Sequence, residues 1–211
     1  MSTRAHAVAT DRASLPTAPA EERARALTGL IRVVSLAETI RAVPRVDDIG
    51  TGLPSFIAAA RALALLGLGR RAPGLSEQPT IAEVIRAAET VLDAWEQSPI
   101  PEAEWVPISD LFGDGLASLL SISPSSLIRY RSGERSTPDA VAARLHLITT
   151  IVADLLGSYN DFGIRRWFHR SRTALDGRAP GDILTGAWGP DDPDVVRVRD
   201  LAHSLLGPAF G

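Results

Sequence analysis

Apolar residues recur at helical spacing along most of the chain, and no stretch shows the two-residue alternation of a half-buried strand with comparable clarity. Leu27, Leu30, Ile31 and Val34 fall at i, i+3, i+4 and i+7, which predicts a helix fading near Pro44. A second helix is predicted over Pro54 to Leu68, stopped by Gly67, Gly69 and the Arg70-Arg71-Ala72-Pro73-Gly74 loop. The third has the clearest start: Thr80-Ile81-Ala82-Glu83 is a capping box, and Ile81, Val84, Ile85, Ala88, Leu92 and Trp95 share one stripe behind it. Together these predict an N-terminal helical module over residues 23–98, of unassigned role. The aperiodic Ala, Ser, Thr and Pro mixture of residues 1–22 predicts a disordered arm. Ser98-Pro99-Ile100-Pro101 reads as a linker, because two prolines within three residues continue neither helix nor sheet.

Within a region bounded at residues 105–157, residues 109–137 read as a short helix, a tight turn and a second short helix, the order of a helix-turn-helix. Ser123 is placed as N-cap, Pro124 at the first helical position where its missing N–H costs nothing, and Gly133 as a left-handed stop. Leu116, Leu119, Leu120, Ile122, Leu127 and Tyr130 supply a small apolar interior, leaving Ser125, Ser126, Ile128, Arg129 and Arg131 on the opposite face. Ser125, Ser126, Arg129 and Arg131, with Arg135 past the helix end, are the candidate DNA-contacting residues, since a guanidinium grips guanine or phosphate through forked donors. Thr137-Pro138 is expected to cap and open a long helix with Val141, Leu145, Ile148, Val152 and Leu155 on one face, ending at Gly157. That helix is expected to pack on the helix-turn-helix and still offer surface to a second copy. Shorter helices are predicted over Asp161 to Ser171, Pro180 to Leu184 and Pro193 to Leu206, with Asp192 as the last N-cap. The predicted fold class is all-α.

At 211 residues and 45% hydrophobic content the chain can bury a sizeable core. It has no cysteine, which removes disulfides, thiolate catalysis and cysteine-ligated zinc. A net charge of −3 argues against a general nucleic-acid binder, yet the charge is segregated: residues 74–114 carry −8 and residues 121–178 carry +4, the basic part being the one with the helix-turn-helix. The bland reading of both stretches is solvated helix faces. His6, His146, His169 and His203 fit no zinc spacing and pair with no carboxylate in a recognisable arrangement, so each reads as a surface or packing histidine. No catalytic residue, metal or cofactor is assigned, and the chain is not read as an enzyme. Phe56 to Leu68 is too short for a membrane span and carries Arg61; without a secretory signal pattern the expected location is the cytoplasm.

Three stretches carry a family resemblance: Arg165-Arg166-Trp167-Phe168, then Ala174-Leu175-Asp176-Gly177-Arg178-Ala179-Pro180-Gly181-Asp182-Ile183-Leu184, then a helix with Val195, Val198, Leu201, Ala202 and Leu205 on one face. With the helix-turn-helix before them they resemble the Xre/MbcA/ParS-like antitoxins, in which an Xre-type helix-turn-helix precedes a toxin-binding domain. The resemblance spans residues 109–207 and implies a toxin-binding domain over 158–211, a partner toxin commonly of the NAD-consuming RES type and repression of the protein's own operon; a homodimer is the expected assembly. The contact residues it implies are Arg166, Trp167, Arg170, Gly177, Arg178 and, in a tail that blocks the toxin's active site, Pro208 and Phe210. Roughly the first hundred residues exceed what typical members carry.

The sequence therefore supports an antitoxin and autorepressor first. A stand-alone transcription regulator whose N-terminal helices sense a ligand or partner comes second, and an interaction adaptor with a degenerate DNA face third.

Overall fold

Local signals place most helix starts. In the computed structural model, which describes residues 15–45, 52–70 and 74–206, the described chain is helical throughout and contains no strand. The N-terminal module consists of α1 (Ala20–Thr39), α2 (Leu53–Leu65) and α3 (Ile81–Glu96). Helix α1 begins before Leu27, inside the stretch expected to be disordered: Glu21 and Glu22 occupy its first turn, where the helix dipole favours anions. Residues 1–14 of that arm lie outside the described residues. The Thr80 capping box forms as read, with Glu83 N–H donating to Thr80 Oγ1 and Thr80 N–H to Glu83 Oε2.

Helix α4 (Pro101–Phe112) was not anticipated; Pro101 at its first position and Glu102 and Glu104 in its first turn were the available signals. It is followed by α5 (Gly115–Leu120), α6 (Pro124–Arg131), α7 (Asp139–Leu156), α8 (Asp161–His169), α9 (Pro180–Ile183) and α10 (Pro193–His203). The last helix start departs from expectation in detail. Asp192 is the N-cap residue of α10, but its carboxylate accepts the N–H of Gly189, 2.7 Å away, and caps no helical N–H. No single helix among the described residues is long and apolar enough to cross a membrane.

Two apolar cores form. One joins α1, α2 and α3 through Leu30, Val33, Phe56, Leu63, Val84 and Trp95; the other runs through α4 to α10 and includes Trp105, Leu120, Leu145, Trp167, Phe168 and Val198. Helices α5 and α6 and the C-terminal helices thus share a core, and the residue 157/158 division does not separate two apolar interiors. Helix α7 serves both, with Leu145, Ile148 and Leu155 in the larger core and Ala153 in the N-terminal one. Its residues from Leu145 to Leu155 are buried on nearly every side. Helix α1 packs along α7.

A buried polar cluster fastens α4 to α7. Glu104 is fully buried, and its carboxylate accepts three hydrogen bonds: from Ile100 N–H (2.9 Å), His146 Nδ1 (2.9 Å) and Thr149 Oγ1 (3.0 Å). The indole of Trp95 lies against the His146 ring, 4.2 Å between centroids, and its N–H donates to Thr150 Oγ1. Two readings are corrected here. His146 does pair with a carboxylate, and Glu104, counted with the solvated acids, is interior. The sequence separation of 42 residues hid the pair. Thr137 is likewise no cap; its hydroxyl receives the Trp105 indole N–H at 2.9 Å, and Pro138 precedes α7 without a side-chain cap.

Removing one member of a buried charged network leaves the others unpaired in a medium that cannot solvate them. Glu104→Ala is expected to lower unfolding free energy by about 3 to 5 kcal/mol, measured by urea denaturation; a midpoint equal to the parent's would refute the cluster.

Candidate functional site

Helix α6 is set by its own sequence. Ser123 Oγ receives the N–H of Ser126 at 3.2 Å, Pro124 holds the first helical position, and beyond Ser132 the chain turns at Gly133, whose φ of +73° suits glycine. The turn before it places Ser121 in the left-handed region, φ 55°, where the Ser121 hydroxyl donates to the Gly186 carbonyl. Leu116, Leu119, Leu120, Leu127 and Tyr130 are buried as read, and Ile122 is half-buried. Leu127 and Tyr130 fix the inward side of α6, so its outer side carries Ser125, Ile128, Arg129 and Arg131, with Ser126 half-buried and engaged in the cap. Ile128 is 63% exposed.

The arginines of this face are not equivalent. Arg131 Nη2 donates to Asp110 Oδ1 at 2.8 Å, and the other oxygen of Asp110 pairs with Arg41, also at 2.8 Å. The two guanidiniums hold the Asp110 carboxyl below the usual carboxylate range, Arg41 contributing most. One carboxylate therefore ties α6 to the end of α1. Arg135 lies with its guanidinium carbon 5.7 Å from the Tyr130 ring centroid. Arg129 is exposed and its side chain has no partner among the described residues. It is the arginine best placed to meet an external acceptor.

In the C-terminal helices the resemblance residues divide into scaffold and surface. Trp167 is 2% exposed and packs edge-on against Phe168, which removes it from any contact surface and corrects its expected role. Gly177 follows the left-handed Asp176 and itself has φ +79°, turning the chain so that the Arg172 carbonyl accepts the Gly177 N–H while Arg172 N–H donates to the Arg178 carbonyl. Pro180 opens α9, buried. Arg166 and Arg170 are exposed on and just after α8, and Phe162 beside them on that helix is 65% exposed. Arg178 is exposed but paired with Asp194 at 2.8 Å, while Arg197 bridges Asp176 and Asp194. Pro208 and Phe210 lie outside the described residues. Two buried donors, Trp167 Nε1 and Arg172 Nε, have no hydrogen-bond partner among the described residues, and the Arg172 guanidinium lies 5.4 Å from the Trp167 ring centroid.

No family model, curated protein or solved structure matches the chain.

Three outcomes follow from this geometry. Leu127→Ala opens a gap beneath α6 and is expected to cost about 2 to 5 kcal/mol in a denaturant titration; an unchanged stability would place Leu127 outside the core. Asp110→Asn releases Arg131 from its ion pair, so any DNA affinity should rise and depend more steeply on salt; an unchanged salt slope in an anisotropy titration would show that Arg131 stays away from phosphate. Hydrogen bonds from Arg197 to Asp176 and from Arg178 to Asp194 lower both carboxyl pKa values below their ordinary 3.8. Their contribution is complete above that value and is lost as pH falls through the folded pKa values. A double Asp176→Asn, Asp194→Asn variant should melt below the parent at pH 6 and lose that deficit towards pH 2; a deficit independent of pH would contradict the assignment.

Proposed function

We propose that the chain is an antitoxin-type regulator that binds operator DNA through α6 and a partner protein through the surface of its C-terminal helices. The observation that carries the DNA half is the projection of α6: a short, capped helix, anchored by Leu127 and Tyr130, with Ile128 and the unpartnered Arg129 outward. An α-helix fits the major groove, where arginine reads guanine and an apolar side chain can touch a thymine methyl. The partner half rests on the family resemblance, with a RES-type toxin as the expected partner. Its support is that the quoted pattern has a physical use: Trp167, Gly177 and Pro180 build the turn and core, and Arg166, Arg170 and Phe162 are left at the surface.

Arg129→Ala should weaken binding to DNA from upstream of the protein's own gene by about 1 to 3 kcal/mol if the guanidinium contacts a base, or flatten the salt dependence by about one unit if it contacts phosphate. Fluorescence anisotropy across a salt series separates the two. Identical affinity and slope in the variant would remove α6 from the DNA. For the partner half, co-expression with the adjacent reading frame followed by pull-down should recover a complex weakened by Arg166→Glu with Arg170→Glu; a complex indifferent to both charge reversals would move the contact elsewhere.

A stand-alone regulator is the second reading. A cleft of about 440 Å³ lined by Arg32 of α1, Glu96 of α3, His146, Thr150 and Asp154 of α7 and His203 of α10 favours it, as a place for a small ligand.

A further inference from the structure

Helix α5 is only 6 residues long, and the carbonyls of its last four residues, Ala117, Ser118, Leu119 and Leu120, cannot be met inside it. The turn that follows serves the first two: Ile122 N–H donates to the Ala117 carbonyl at 3.0 Å, and Ser121 N–H to the Ser118 carbonyl at 3.1 Å. That closure needs a left-handed residue, and here it is Ser121, φ 55°, where glycine would sit without strain. No backbone N–H among the described residues reaches the Leu119 or Leu120 carbonyl.

Both are met from far along the chain. Trp188, in the loop between α9 and α10, is buried, and its indole N–H donates to the Leu119 carbonyl at 3.0 Å. Arg144 of α7 donates from Nη1 to the Leu120 carbonyl at 3.0 Å and from Nε to the Trp188 carbonyl at 2.8 Å, and its guanidinium carbon lies 5.2 Å from the Trp188 ring centroid. In the same loop the Gly186 carbonyl accepts the Ser121 hydroxyl, so the strained residue is fastened as well. The α5–α6 turn is therefore not held by its own residues alone: α7 and the loop before α10 complete it.

Only Ser121, Ile122 and Ser123 separate α5 from α6, and so short a tether carries the position of one helix end to the start of the next. The far end of α6 is fixed where Arg131 meets Asp110. We propose that Trp188 and Arg144 are positioning residues for α6, setting the angle at which Ser125, Ile128 and Arg129 are presented without themselves touching what α6 binds. The inference rests on the reading of α6 as the DNA-contacting helix. Contacts to base edges demand an exact helix placement, whereas attraction to phosphate is indifferent to sequence and tolerant of geometry. Loosening the turn therefore costs discrimination between sequences and leaves general attraction in place.

Arg144→Met keeps the aliphatic stem and removes the donors; Arg144→Lys returns one. Fluorescence anisotropy over a salt series, with DNA from upstream of the protein's own gene and with a random-sequence duplex of the same length, reads the effect. Arg144→Met should weaken binding to the upstream DNA about ten-fold or more, with affinity for the random duplex and the salt slope as in the parent, and Arg144→Lys should recover most of the loss. Residue-resolved hydrogen exchange of the free protein gives a reading that needs no DNA. Amides of Ser121, Ile122 and Leu127 to Arg131 should exchange about ten-fold faster in Arg144→Met and in Trp188→Phe, which removes the indole N–H, while those of α3 from Val84 to Val91 stay as in the parent. Should the buried Trp188 variant fold poorly, half-buried Arg144 carries the test. Equal losses on both duplexes, a flatter salt slope, no recovery with lysine, unchanged α6 exchange, or an equal acceleration in α3 would each overturn the proposal. A parent that prefers neither duplex would overturn the DNA reading of α6 itself, and exchange alone would then decide whether Trp188 and Arg144 hold the helix.

Discussion

Everything else in this fold depends on α7 being buried on nearly all sides. A helix with one apolar stripe needs one partner; a helix whose residues from Leu145 to Leu155 are nearly all interior needs partners around it. The large core supplies one side, through α4, α8 and α10, and the N-terminal module supplies the other. The polar residues that such burial would otherwise strand, His146, Thr149 and Asp154, are met by Glu104 and Arg32. The N-terminal module therefore has a physical role before any functional one: its α1 covers a face of α7 that cannot be left to water.

That cover links regions distant in sequence. Asp110 joins Arg41 at the end of α1 to Arg131 on α6, and Arg32 joins α1 to Asp154 on α7. A change in how α1 sits on α7 would alter the Asp110 ion pairs and with them the charge that the outer face of α6 presents. In the proposed DNA-binding role, the N-terminal module is thus placed to influence the reading helix without touching the nucleic acid.

Short-range chemistry was legible in the sequence. The Thr80 capping box, the Ser123 and Pro124 start of α6, the Gly133 stop and the inward set of Leu116, Leu120, Leu127 and Tyr130 all depend on residues within a few positions of one another. What escaped were pairings between distant segments. Glu104 looks like any acid in a negative stretch until α7 brings His146 and Thr149 to it, and Arg131 reads as a free cation until the end of α4 places Asp110 beside it. Trp167 was legible as an anchor but not as wholly interior. Thr137 misled because Thr-Pro is a good helix start and a good acceptor alike, and the indole of Trp105 claims the hydroxyl.

Hydrogen exchange of the full chain, resolved residue by residue, tests the central claim that α7 is shared between two cores. Amides of α7 from Leu145 to Leu155 should be the slowest in the molecule, and those of the buried part of α1, around Leu30, Val33 and Val34, should exchange with them in one cooperative opening. Fast, independent exchange of α1, with α7 protected only on the side of Leu145, Ile148 and Leu155, would show that the N-terminal module is an appendage and contradict the account.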